Sequence, residues 1–175
     1  GAAVVFNSNG FLLTTADLLD GADEVTVTLA DGETLPAAFV GTDRESDIAV
    51  LRVARTGLPV VVLGRPADQL QLGEPVLAID STLGGAGTPR IPPLGVINGL
   101  GARVESEDPI NTLFGLIQTN LQLTSAATGA PLVDANGAVI GIVTSRGFPI
   151  SPDATAQAAT GQDAVPGTSS VATNV

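Results

Sequence analysis

Short apolar runs rich in Val, Ile, Leu and Thr recur about every ten residues along the chain, each closed by a cluster of Gly, Asp, Asn or Pro. Runs of this length suit strands rather than helices, and their even spacing with turn chemistry between them is the pattern of an all-β sandwich or barrel. Three hairpins can be read directly. AAVVF (2–6) turns at Asn7-Ser8-Asn9-Gly10 into FLLTT, VTVTL (25–29) turns at Ala30-Asp31-Gly32 into TLPAAFVG, and PLV (131–133) turns at Asp134-Ala135-Asn136-Gly137 into AVIGIVTS. Each turn ends on Gly, the residue that takes positive φ without a Cβ penalty. IAVLRV (48–53), PVLAID (75–80), the long LGVINGLGARV (94–104), which its glycines should bend, and FGLIQT (114–119) complete the strand set.

Helix is expected only as a single turn over Ala16–Leu19, with Thr14-Thr15 as caps and Gly21 near its end. Residues 58–72 carry Pro59, Gly64 and Pro66, with Gly73 just beyond, and read as a connector between two halves. From Ser151 to Gly161 the composition collapses to Ala, Thr, Gln and Gly, which predicts a mobile loop. The two Asn/Asp-Gly turns superficially suggest calcium loops, but hairpins use the same residues for backbone reasons. Gly84-Gly85-Ala86-Gly87 is followed by Thr88-Pro89 and no helix, so a dinucleotide-binding reading fails and a flexible connector is expected.

With 44% apolar residues in 175, the chain can build a sizeable core. Its 18 acids against 7 arginines give a formal net charge of −11, which argues against nucleic acid or an anionic membrane surface as a partner. There is no Cys and no His, so thiolate chemistry, disulfides and soft-metal sites are excluded. No apolar run approaches the ~20 residues of a bilayer-spanning helix. Gly1 leads straight into strand-like sequence without a basic leader, so a soluble or already trimmed segment is expected.

Taken in order, these strands resemble the protease domain of the HtrA/DegP family of trypsin-like serine proteases, from Gly1 to about Val171. GAAVVFNSNGFLLTTADLLDGADEVTVTLADGETLPAAFVGTDRESDIAVLRV resembles the family's first barrel. PLGVINGLGARV resembles the strand written in the family as a Gly-Ile-Val-Ser motif, and GLIQTNLQLTSAATGAPLVDANGAVIGIV resembles the nucleophile loop with its following hairpin. DAVPGTSSV (163–171) resembles the strand and helix start that lead into a PDZ domain. The resemblance implies an all-β fold of two six-stranded antiparallel β-barrels packed together. Residues 1–57 would form the first, 58–73 the connector, 74–171 the second with a mobile loop at 147–163, and 172–175 the start of a linker or helix toward a PDZ-like region.

The family's chemistry needs a serine nucleophile, a histidine base, an aspartate that fixes the histidine tautomer, and backbone N–H groups for the oxyanion. By position, the family's Asn-Ala-His turn matches Thr15-Ala16-Asp17, so Asp17 stands where the base should be. Ser46-Asp47-Ile48-Ala49 matches the aspartate motif and keeps Asp47. The Gly-Asn-Ser-Gly-Gly-Pro loop matches Ala126-Ala127-Thr128-Gly129-Ala130-Pro131, which puts Thr128 at the nucleophile and Ala126 in place of an oxyanion-hole glycine. Losing the histidine alone costs roughly a million-fold in a serine hydrolase of this type, on the order of 8 kcal/mol. Thr128 adds a β-methyl that restricts χ1, and a Cβ at Ala126 would be strained at positive φ.

The expectation is therefore a pseudoprotease, a binding, scaffolding or regulatory module with no functional catalytic residues and no cofactor. Thr144, Ser145 and Arg146 fall on the strand that would hold a peptide backbone in a working relative and are the peptide-cleft candidates. Two other readings stand beside this one. Thr128 could act as a weak nucleophile with Asp17 as carboxylate base, or Asp17 and Asp47 could share a proton or hold a hard cation. The resemblance further implies a periplasmic or other extracytoplasmic setting, a protein or peptide ligand, a homo-oligomer or a complex with an active paralogue, and room for a membrane tether outside this segment.

Overall fold

The computed structural model describes residues 1–79, 92–104, 112–123, 125–147 and 170–174. Five strands, β1 (Val4–Asn7), β2 (Phe11–Thr15), β3 (Val25–Thr28), β4 (Thr34–Asp43) and β5 (Ile48–Val53), form one antiparallel sheet in the order β1-β2-β5-β4-β3. Six more, β6 (Pro75–Ala78), β7 (Leu94–Val104), β8 (Leu113–Thr119), β9 (Pro131–Asp134), β10 (Val139–Val143) and β11 (Ser170–Asn174), close into a barrel in the order β10-β11-β8-β7-β6-β9.

The turns form for the reasons their sequences suggest. Asn7 Oδ1 accepts the Asn9 amide at 2.9 Å, and Gly10 follows at φ 91°, where an added Cβ would lie 2.3 Å from the Val53 carbonyl oxygen. Asp134 Oδ1 accepts the amides of Asn136 and Ala138 at 2.8 and 3.0 Å. Both calcium-like loops thus spend side-chain oxygens on their own backbone. The glycines of β7 coincide with register shifts between Ile97 and Gly99 and between Gly99 and Ala102.

Alternation along the strands builds adjoining cores. Leu12, Leu51, Val53 and Leu58 fill the first sheet, while Val76, Ile97, Ile117, Leu132 and Ile140 fill the barrel. Between them Val4 and Leu13 pack on Val133, Val139 and Ile142, which welds the two halves together. Each fully buried Leu or Ile contributes roughly 1.5–3 kcal/mol of transfer free energy. Residues 58–64 reinforce this seam. The Val61 amide bonds the Val5 carbonyl, the Val139 amide bonds the Val62 carbonyl, and the Gly64 amide bonds the Val139 carbonyl, at 3.0, 2.8 and 2.7 Å.

The expected all-β fold in two antiparallel halves is present, as a five-stranded sheet beside a closed six-stranded barrel, and the connector covers the outer side of β1. Two expectations change. Residues 172–174 do not begin a linker or helix. Ser170–Asn174 form β11, paired with both β10 and β8, and without it the barrel would expose two unpaired edges. The helical turn over Asp17–Leu19 exists but Thr14 and Thr15 do not cap it: Thr14 Oγ1 donates to the Ala2 carbonyl at 2.7 Å and Thr15 Oγ1 has no partner among the described residues. The Gly84–Gly87 connector and the Ser151–Gly161 loop lie outside the described residues.

Candidate functional site

Asp47 organises the junction of the two halves. It ends the turn between β4 and β5 at φ 57°, the one non-glycine residue at positive φ among the described residues, and is 1% exposed. Asp is among the side chains that tolerate this left-handed conformation. Its backbone carbonyl accepts the Ala16 amide at 3.0 Å and its Oδ1 accepts the Asp17 amide at 3.1 Å, so Asp47 supplies the cap that the threonines do not. Oδ2 accepts a 2.5 Å hydrogen bond from Thr144 Oγ1, and Arg146 Nη1 lies 4.0 Å from Oδ1. Burial pushes the Asp47 carboxyl above its ordinary range; the Thr144 hydrogen bond opposes this and the neighbouring Asp17 charge adds to it.

Asp17, half-buried on the single turn after β2, accepts a hydrogen bond on Oδ2 from Ser145 Oγ. Its Oδ1 is buried with no partner among the described residues. The structure therefore brings Asp17, Asp47, Thr144, Ser145 and Arg146 into one cluster. Thr144 to Arg146 do not extend β10 as a peptide-binding strand would. Thr144 is fully buried, and Ser145–Gly147 form a single 3-10 turn with the Arg146 amide on Thr144 Oγ1 at 3.2 Å. The two carboxylates hold this segment folded inward.

Thr128 shares no hydrogen bond with the carboxylates among the described residues. Its Oγ1 donates to the Ser125 carbonyl at 2.8 Å, its amide approaches the same carbonyl at 3.2 Å, and the residue is 2% exposed. An oxyanion hole requires the nucleophile's own amide to point at solvent-side substrate, and here that amide closes the Ser125–Ala127 turn. The strain expected at Ala126 is absent, because this turn leaves Ala126 exposed and without positive φ while Ala127 is buried. Gly129 carries the special conformation instead, at φ 84°, with an added Cβ falling 2.0 Å from the Ala2 carbonyl oxygen. The Ala2 amide in turn bonds the Thr128 carbonyl at 2.9 Å. Ala2 and Ser125 escaped the sequence reading because neither residue type carries a chemical signature; only the glycine at 129 marked the close approach.

Among the described residues no group of three or more His, Cys, Asp or Glu could hold a metal ion. Both oxygens of Asp47 are already engaged by protein donors.

A family model described as a trypsin-like peptidase domain matches residues 1–142. The chain belongs to the trypsin-like peptidase family. Within it, this trypsin-like domain is of the HtrA/DegP type. It is 36% identical over 145 residues to the putative serine protease HhoB of Synechocystis, covering 83% of the chain and 34% of that protein. It is 34% identical over 142 residues to a probable periplasmic serine endoprotease, DegP-like, of Halomonas elongata, covering 81% of the chain and 28% of that protein. Among solved structures it superposes on the HtrA-type protease AlgW with decapeptide at a TM-score of 0.75 and 31% identity, covering all of this domain and 48% of that chain. AlgW with tripeptide gives 0.73 at the same identity, with 52% of that chain covered. The trypsin-like domain thus spans about a third of its curated relatives and about half of the solved chains.

Proposed function

We propose that this trypsin-like domain is a non-catalytic member of its family that works outside the cytoplasm as a protein- or peptide-binding module. The observation that carries the proposal is Asp17 at the family's histidine position in a chain that contains no histidine. A hydroxyl without a base stays neutral at pH 7 and is a poor nucleophile. Thr128 is in addition buried and committed to the Ser125 carbonyl. The relatives carry protease names, two of their solved chains are described with peptides, and one curated relative is described as periplasmic. Those names support the ligand class and the compartment proposed here. A homo-oligomer, or a complex with an active paralogue, fits the same role.

No observation favours Thr128 hydrolysis assisted by Asp17, since Asp17 engages Ser145 and its other oxygen has no partner, Thr128 included, among the described residues. The proposal is tested by fluorescence anisotropy of labelled, denatured casein titrated with the domain. Saturable binding with the casein intact is expected. Absence of binding, or fragments whose appearance depends on Thr128, contradicts it.

A further inference from the structure

The first sheet ends in an unprotected edge. β3 is bonded to β4 on one side and to no strand on the other among the described residues. Its pairing runs without a bulge from Val25 opposite Ala37 to Thr28 opposite Thr34, and Thr26 faces Pro36, a residue with no N–H to share. Val25 and Val27 are half-buried while Thr26 and Thr28 are exposed, so the edge is regular and alternates cleanly. Proteins usually blunt such an edge with a lysine, a proline or a bulge within the strand. β3 contains none of these.

A cleft of about 320 Å³ opens at the start of the same strand. Leu19, Ala22, Val25 and Phe39 form its apolar wall, and Asp20 and Arg44, joined at 3.1 Å, form its polar rim. The volume is in the range of pockets that bury a ligand group. Phe39, 59% exposed, stands at the cleft wall, where its ring can pack on an incoming side chain. Ala16, whose amide bonds the Asp47 carbonyl, lines this cleft, but Asp17, Asp47, Thr128 and Thr144–Arg146 do not.

Charge selects the occupant. Asp23 and Glu24 are exposed immediately before β3, and Asp31 and Glu33 at its far end share the single Arg55. A second copy of this chain would bring the same acids and a net charge of −11 against them. We propose that the β3 edge and the adjoining cleft dock an extended peptide segment in which a large apolar side chain is flanked by basic residues. The segment adds a strand to the sheet through main-chain hydrogen bonds, its apolar side chain enters the cleft against Phe39, and its basic residues meet Asp23 and Glu24. This surface serves a partner whether or not Asp17 and Thr128 have any chemistry.

The test titrates the full chain into a fluorescein-labelled, end-capped nonapeptide, Lys-Thr-Arg-Val-Leu-Val-Arg-Thr-Lys, and into its counterpart with Glu at every basic position. Saturable binding of the basic peptide is expected, with backbone amide shifts in NMR centred on Val25–Thr28. Binding should weaken about tenfold in Phe39→Ser, as for the loss of an aromatic anchor, and weaken with rising salt. Glu24→Lys, an exposed change that leaves the fold untouched, should weaken it without altering the melting temperature. Equal binding of the Glu peptide, no saturable binding, or amide shifts centred on Thr144–Arg146 overturns the proposal. So does a concentration-dependent dimer dissolved by Phe39→Ser, which makes a second copy the occupant.

Discussion

Thr144 Oγ1 donates a 2.5 Å hydrogen bond to Asp47 Oδ2 across 97 residues of sequence, tying the end of β10 to the turn between β4 and β5. Asp47 thereby serves the structure in three ways. It caps the turn that carries Asp17, occupies a left-handed backbone position, and anchors the second half of the domain to the first.

Replacing Asp47 should separate these roles. Asp47→Ala leaves the Asp17 amide and the Thr144 hydroxyl without their acceptor, at about 1–3 kcal/mol for each buried group, and puts a side chain that tolerates the left-handed region less well than Asp at φ 57°. Asp47→Asn keeps an oxygen and tolerates that conformation, and should cost about 1 kcal/mol at most. Urea denaturation of the two variants and of Asp47→Gly measures the difference. Asp47→Gly should fall between them, because it lacks the hydrogen bonds and relieves the backbone.

The pH dependence has a definite sign. Burial raises the Asp47 carboxyl above its ordinary value of 3.8, so near neutral pH the folded state carries a charge that it tolerates less well than the unfolded chain does. The folded state binds the proton more tightly; this contribution is favourable in the acid range and is lost as pH rises from 3.8 through the folded value. Asp134 works the other way. Its carboxyl is lowered despite the opposing effect of burial, because the Ala138 and Asn136 amides bond its ionised form, so its contribution is present above 3.8 and lost as pH falls through the folded value. Melting curves from pH 3 to 7 should show Asp47→Asn gaining on the parent as pH rises and Asp134→Asn losing ground over the same range.

Gly129→Ala should be severely destabilising. The new Cβ meets the Ala2 carbonyl oxygen at 2.0 Å and Thr14 Oγ1 at 2.8 Å, and the backbone stays at φ 84°. The Ala2 carbonyl is backbone and cannot step aside as a flexible side chain could, so a loss above about 3 kcal/mol, or failure to fold, is expected from thermal denaturation. Gly137→Ala, at a similar φ of 79° but with open space around the added Cβ, should cost only about 1–2 kcal/mol of backbone strain.

The strands and hairpins were legible because alternation and turn chemistry are local: the Leu94–Val104 strand and the turns at Asn7 and Asp134 lie where the sequence places them. Asp17 and Asp47 lie together, with the Asp17 amide bonding Asp47 Oδ1. What escaped notice depends on distant partners. The cap on Asp17 comes from Asp47, 30 residues away, and the inward fold of Thr144–Gly147 is held by side chains of the first sheet. The strand at Ser170–Asn174 has its meaning only as the closing member between β8 and β10. No local pattern encodes such contacts.

An imidazole at position 17 should not create hydrolytic chemistry. Asp17→His supplies an imidazole, but the Thr128 hydroxyl still donates to the Ser125 carbonyl and its amide still closes the same turn. Hydrolysis of quenched-fluorescent casein by this variant is expected to equal the buffer blank.

The account's central claim is met most directly by incubating denatured casein with the parent protein and with Thr128→Ala, and reading peptide fragments by mass spectrometry. No fragments above the blank are expected from either protein. Fragments produced by the parent and lost in Thr128→Ala would make the domain a working hydrolase and contradict the account.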